Sequence, residues 1–172
     1  MPDRRAAPAC NADETASRSK KSVAAIPVAK FQRILIICTG NVCRSPMAEG
    51  LWRQRLGSDY TIASAGIGAL AGEPATAEAV TAMQEWNIDI SAHRARQIDA
   101  GIAREHELLL VMEEHHKRWL ERELPFLRGR VQRLGHWNDI DIFDPYQGSA
   151  REYRQVRELI DTASEAWLRK LA

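Results

Sequence analysis

From residue 33 onward, short apolar runs alternate with stretches in which apolar positions recur every three or four residues. The unbroken runs Ile34 to Ile37 and Leu108 to Met112 read as strands buried on both faces, since a strand with one wet face would alternate apolar and polar side chains. Tyr60 to Ala63 and the Val131 to Leu134 region read as two more strands. Pro46 to Leu56 reads as a helix, with Ser45 at its N-cap, Pro46 in the first turn and Gly57 just past its end. Thr76 to Trp86 and Glu113 to Leu124 read as further helices, the second stopped by Pro125. Near the C-terminus Tyr153, Val156, Ile160, Ala163, Trp167 and Leu171 form one stripe at helical spacing, so this helix packs by one face. Strands alternating with helices predict an α/β fold, with a four-stranded parallel sheet flanked by helices.

The first 30 or so residues break this pattern. They are rich in Ala, Ser, Arg and Pro without apolar periodicity, and are read as a disordered tail in front of one domain over 31–172. Asp3, Asp13 and Glu14 argue against an organellar transit peptide, which is poor in acids. No stretch approaches the ~18 apolar residues of a membrane span, so no membrane insertion and a cytoplasmic location are expected. A formal net charge of +1 argues against a nucleic-acid partner. The cysteines stand at positions 10, 38 and 43, too few for a disulfide framework and consistent with a reducing compartment. Cys10, in the tail, is read as incidental.

The chemistry lies between the first strand and the first helix, in Cys38-Thr39-Gly40-Asn41-Val42-Cys43-Arg44-Ser45-Pro46. A loop at the carboxyl end of a central strand opens onto the crevice of the sheet, and the following helix offers free N–H groups and a positive dipole end. The residues between Cys38 and Arg44 suffice for one curl of backbone whose N–H groups converge on a tetrahedral oxyanion. Gly40 and Asn41 are expected to permit the curl, because both tolerate the left-handed conformation. Arg44 can hold two phosphoryl oxygens in its fork. The same positive surroundings favour the thiolate of Cys38, the form that attacks phosphorus. Phosphate binding is thus assigned to Thr39, Gly40, Asn41, Val42, Cys43, Arg44 and Ser45.

Cys38-x5-Arg44-Ser45 followed by Pro46-Met47-Ala48-Glu49 resembles the signature of the low-molecular-weight protein tyrosine phosphatases. The resemblance extends through Ser64-Ala65-Gly66 and Ser91 to Ile98 to Asp144-Pro145-Tyr146, covering roughly residues 32–171. It implies hydrolysis of phosphotyrosine through a cysteinyl-phosphate, without a cofactor. Cys38 matches the nucleophile, Asp144 the general acid and base, and Arg44 the phosphate-binding arginine. Ser45 matches the hydroxyl that steadies the thiolate, and Asn41, Ser64 and His93 a cluster that holds the loop in shape. Cys43 matches a cysteine that forms a reversible disulfide with the nucleophile. Tyr146 matches one wall of the substrate slot. Leu70 on the opposite wall, Gln147 after Tyr146 and the Trp137-Asn138-Asp139-Ile140 segment resemble bacterial members paired with tyrosine autokinases of polysaccharide export. That likeness implies a phosphotyrosine protein, such as an autokinase, as partner.

Three other functions fit parts of the pattern. A thiol-coupled arsenate reductase of the same fold needs a distal cysteine pair, and no cysteine follows Cys43. A protein arginine phosphatase shares the loop but resembles Cys-Thr-Gly-Asn-Thr-Cys-Arg, where this chain has Val42. A module that binds phosphotyrosine without cleaving it would not need Cys38, Arg44 and Asp144 together. Glu113-Glu114-His115-His116 has the residue types of a metal site, but is read as a solvated helix start favoured by the helix dipole, with no metal expected.

Overall fold

The computed structural model describes residues 31–171; the N-terminal segment read as a tail, with Cys10, lies outside them. Strands β1 (Arg33–Cys38), β2 (Thr61–Gly66), β3 (Leu108–Val111) and β4 (Val131–Arg133) form one sheet in the order β2-β1-β3-β4. Every pairing in it is parallel. All the strands expected from the apolar runs are present. β2 starts one residue later than its apolar run and continues to Gly66, where it pairs with Cys38.

Side chains of β1 alternate between two separate apolar clusters. Ile34, Ile36 and Cys38 face α1 (Arg44–Leu56), α2 (Ala77–Gln84) and α5 (Ala150–Leu171), while Leu35 and Ile37 face α3 (Ala100–Arg104) and α4 (Glu114–Glu123). Ile34 to Ile37 are fully buried, and each such side chain is worth roughly 1.5–3 kcal/mol. A slip of one residue would exchange the two faces, so the apolar pattern fixes the register and places Cys38 at the strand end. The stripe foreseen on α5 is buried throughout, from Tyr153 to Leu171, and Trp52 Nε1 of α1 donates to Ser164 Oγ of α5 at 2.7 Å.

Helix α3 has no counterpart in the apolar pattern. It has 5 residues, too few for a periodicity, and is started by Asp99, whose Oδ1 accepts from Ile102 N at 2.8 Å. The chain leaves β1 on one side for β2 and crosses to the other side for β3. The loops after β1 and β3 therefore open on the same crevice, the usual ligand position in a parallel sheet. No helix among the described residues is long and apolar enough to cross a membrane.

Candidate active site

The loop after β1 has its carbonyls turned outward. Those of Cys38, Thr39, Gly40 and Val42 accept from the amides of Ile67, Gly68, Leu70 and Thr76 at 2.9–3.1 Å, and that of Asn41 faces His93 Nε2 at 2.7 Å. A carbonyl can only accept, so Nε2 carries the proton. With the carbonyls engaged outside, the amides of Gly40, Val42 and Cys43 have no acceptor among the described residues. The close approach of the following segment requires Gly66, because a Cβ there would lie 2.4 Å from Thr39 O. Of the two residues expected to take the left-handed conformation, only Asn41 does, with φ 57°. Gly40 lies outside that region, and a Cβ there would make only ordinary contact, 3.5 Å from Val42 Cγ2.

Asn41 organises the interior of the loop. Its backbone N–H donates to Cys38 Sγ at 3.3 Å, and its Nδ2 donates to Ser45 Oγ and Ser64 Oγ at 2.8 and 2.9 Å. Its Oδ1 accepts from Arg96 N at 2.8 Å. Ser45 Oγ, already an acceptor, has its own proton left for Cys38 Sγ, 2.9 Å away. Two donors thus converge on the sulfur, an arrangement suited to a thiolate. Ser45 is consequently not the helix cap foreseen from the sequence. Helix α1 begins two residues earlier, at Arg44, with Cys43 at the cap and no side-chain capping bond, because the Ser45 hydroxyl is spent inside the loop. Ser64 Oγ in turn donates to Glu49, which Arg53 holds at 2.6 Å.

Arg44 is 1% exposed and is held by two acids. Nη2 meets Asp144 Oδ2 at 2.6 Å and Thr39 Oγ1 at 3.4 Å, while Nη1 meets Glu113 Oε1 and, at 2.9 Å, Ile142 O. Its Nε–H is buried without a partner among the described residues, a state that costs roughly 1–3 kcal/mol unless an acceptor arrives. Thr39 Oγ1 also meets His116 Nε2 at 3.0 Å. Burial, with the neighbouring His115 and the Arg44 charge, pushes the His116 imidazole down to about 3, so it is neutral at physiological pH.

Glu113 and His116 therefore do not belong to a solvated helix start. They follow β3, which lies beside β1 in the sheet, and the topology aims the start of α4 into the crevice; only His115 and Glu114 are exposed enough to fit the earlier reading. The neighbouring runs of β1 and β3 were the signal in the sequence that could have placed Glu113 here. Arg96 and Glu49 fall within the segments that carry the family resemblance, which is the signal the sequence offered for them.

A pocket of about 170 Å³ is lined by Cys38, Thr39, Gly40, Val42 and Cys43 of the loop, with Leu70, Asp144 and Tyr146 beside them. Leu70 and Tyr146 are 43% and 48% exposed, two large side chains open to solvent beside the loop. Asp144 Oδ1 also accepts from Tyr146 N at 3.2 Å. Cys43 lies apart from the Cys38 donors. Its Sγ is 3.3 Å from Tyr153 Oη and 3.6 Å from Thr76 Oγ1, and burial pushes its thiol up despite these bonds. Both cysteines are free thiols.

Residues 33–172 match the family model for low molecular weight phosphotyrosine protein phosphatase. The chain is 41% identical over 141 residues to a probable low molecular weight protein-tyrosine-phosphatase, EpsP, of Ralstonia nicotianae, covering 82% of this chain and 97% of the relative. Its structure resembles the tyrosine phosphatase Wzb from Escherichia coli K30 in complex with sulphate, with TM-score 0.80, 39% identity and coverage of 83% and 99%. It also resembles the YwlE arginine phosphatase from Geobacillus stearothermophilus, with TM-score 0.77, 30% identity and coverage of 82% and 92%. The loop geometry and these likenesses meet in one conclusion: the chain belongs to the low-molecular-weight protein tyrosine phosphatase family.

Proposed function

We propose that the chain hydrolyses phosphotyrosine in proteins by two phosphoryl transfers. The observation that carries this reading is the Cys38 sulfur, met by the Ser45 hydroxyl and the Asn41 amide inside a loop whose carbonyls face away. Phosphate enters with its oxygens toward the free amides and the unpartnered Arg44 Nε–H, displacing Asp144 from Nη2. The Cys38 thiolate attacks phosphorus, the S–P bond forms, and the P–O bond to the ring breaks. Asp144, released from Arg44, gives a proton to the departing phenolate. Water then attacks phosphorus, returns a proton to Asp144 and breaks the S–P bond. Thr39, Gly40, Val42 and Cys43 complete the cradle; Ser64 and His93 act through Asn41; Leu70 and Tyr146 take the ring between them. The free thiols suit a reducing cytoplasm, and a tyrosine autokinase is the partner that the bacterial resemblance favours.

Phosphotyrosine and phosphoarginine peptides of equal sequence test the substrate class, because the arginine phosphatase neighbour makes the N–P bond the pertinent competitor. Phosphotyrosine cleavage with kcat/KM at least tenfold higher is the expected result. A preference for phosphoarginine would assign the chain to the other substrate.

The redox role of Cys43 belongs to the same proposal. Peroxide converts the Cys38 thiolate to a sulfenic acid, and Cys43 sulfur displaces its hydroxyl as water to form the disulfide, which exogenous thiol reduces. In Cys43→Ser, thiol should restore much less activity after peroxide than in wild type. Equal recovery, or no Cys38–Cys43 linkage in peptide mass spectra of the oxidised wild type, would remove the protective role.

A further inference from the structure

At the start of α4, Glu113, His115 and His116 each offer a ligand atom within 4.8 Å of the others. Glu113 Oε2 lies 3.5 Å from His115 Nδ1, close to the ~3.4 Å edge of a tetrahedron whose bonds are about 2.1 Å. The two imidazoles stand with ring centroids 4.0 Å apart. A third feature is independent of this clustering: His116 is fully buried, yet its Nδ1 has no partner among the described residues. Its other nitrogen, Nε2, faces Thr39 Oγ1 at 3.0 Å, a hydroxyl that already accepts from Arg44. If Nε2–H donates to Thr39, the lone pair at Nδ1 is left to coordinate, which is the arrangement by which a metal-bound histidine is held by its second nitrogen.

We propose that Glu113, His115 and His116 form a binding site for a divalent transition-metal ion of the Zn²⁺ class, beside the phosphate pocket and joined to it through Arg44 and Thr39. Two imidazoles and one carboxylate are a donor set for such an ion, with water in the fourth position. The Glu113 carboxylate divides its work, Oε1 on Arg44 and Oε2 toward the ion. The nearby charge of Arg44 is already met by two carboxylates, those of Glu113 and Asp144. Exposed His115 rotates to close the coordination, and buried His116 stays fixed.

The test is calorimetric titration of Zn²⁺ into the full chain with all its cysteines replaced, as Cys10→Ser, Cys38→Ser and Cys43→Ser, so that no thiol competes. About one ion per chain is expected, with affinity falling roughly tenfold or more in the added variant His115→Ala. His136→Ala, an exposed histidine elsewhere, should leave the affinity unchanged. No zinc uptake by the cysteine-free chain, unchanged affinity in His115→Ala, or an equal loss in both histidine variants would overturn the site. None of these results depends on turnover, so the proposal can fail while the phosphatase reading stands.

Discussion

Replacing Cys38 by serine is expected to lower turnover of an aryl phosphate below about a hundredth of wild type while inorganic phosphate still binds. The physical reason is the charge that the loop is built to receive. The Ser45 hydroxyl and the Asn41 amide point at Sγ and suit a thiolate, but they cannot make an alkoxide from a serine near neutral pH. The free amides and Arg44 are untouched by the change, so the anion cradle persists. Steady-state rates with calorimetry of phosphate check both halves. Activity above about a hundredth would make another group the nucleophile, and loss of phosphate binding would mean that the substitution collapsed the loop.

Asp144→Ala is expected to slow phosphotyrosine cleavage roughly a hundredfold or more, the usual worth of a positioned acid. The loss should depend on the leaving group. A phenolate with the pKa of tyrosine, about 10, departs poorly without a proton, whereas the phenolate of a strongly acidic phenol barely needs one. Burst rates, which isolate phosphorylation of Cys38, are the right observable, because in the proposed mechanism the water that later hydrolyses the intermediate also calls on Asp144. The ion pair with Arg44 adds a second consequence: removing the carboxylate takes away the anion that phosphate must displace, so phosphate should bind at least as tightly to Asp144→Ala as to wild type. An equal fall in burst rate for both esters would make Asp144 a positioning residue.

Much of this site was legible because its parts lie close together in sequence or repeat a simple period. The aliphatic runs gave β1 and β3, and the stripe from Tyr153 to Leu171 gave α5. Residue type and spacing from Cys38 to Ser45 pointed to an anion site, and the fold leaves the amides of Gly40, Val42 and Cys43 without an acceptor among the described residues. What escaped depended on which partner a side chain takes in the folded chain, within the curled loop or between distant elements. Ser45 looked like a helix cap because nothing local says that its hydroxyl will be taken by Asn41 and Cys38. Glu113 and His116 looked like a wet helix start until the sheet order set β3 beside β1 and aimed them at Arg44 and Thr39. Asp144 could be assigned only by resemblance, since 100 residues separate it from the arginine it meets.

Rapid mixing of the full chain with an aryl phosphate, quenching into denaturant within the burst, and peptide mass spectrometry test the covalent step most directly. A phosphoryl group on the sulfur of Cys38, present during turnover and missing in Cys38→Ser, is the expected result. Turnover with no phosphorylated peptide, or with the phosphoryl group on Ser45 or another side chain, would contradict a cysteinyl-phosphate mechanism.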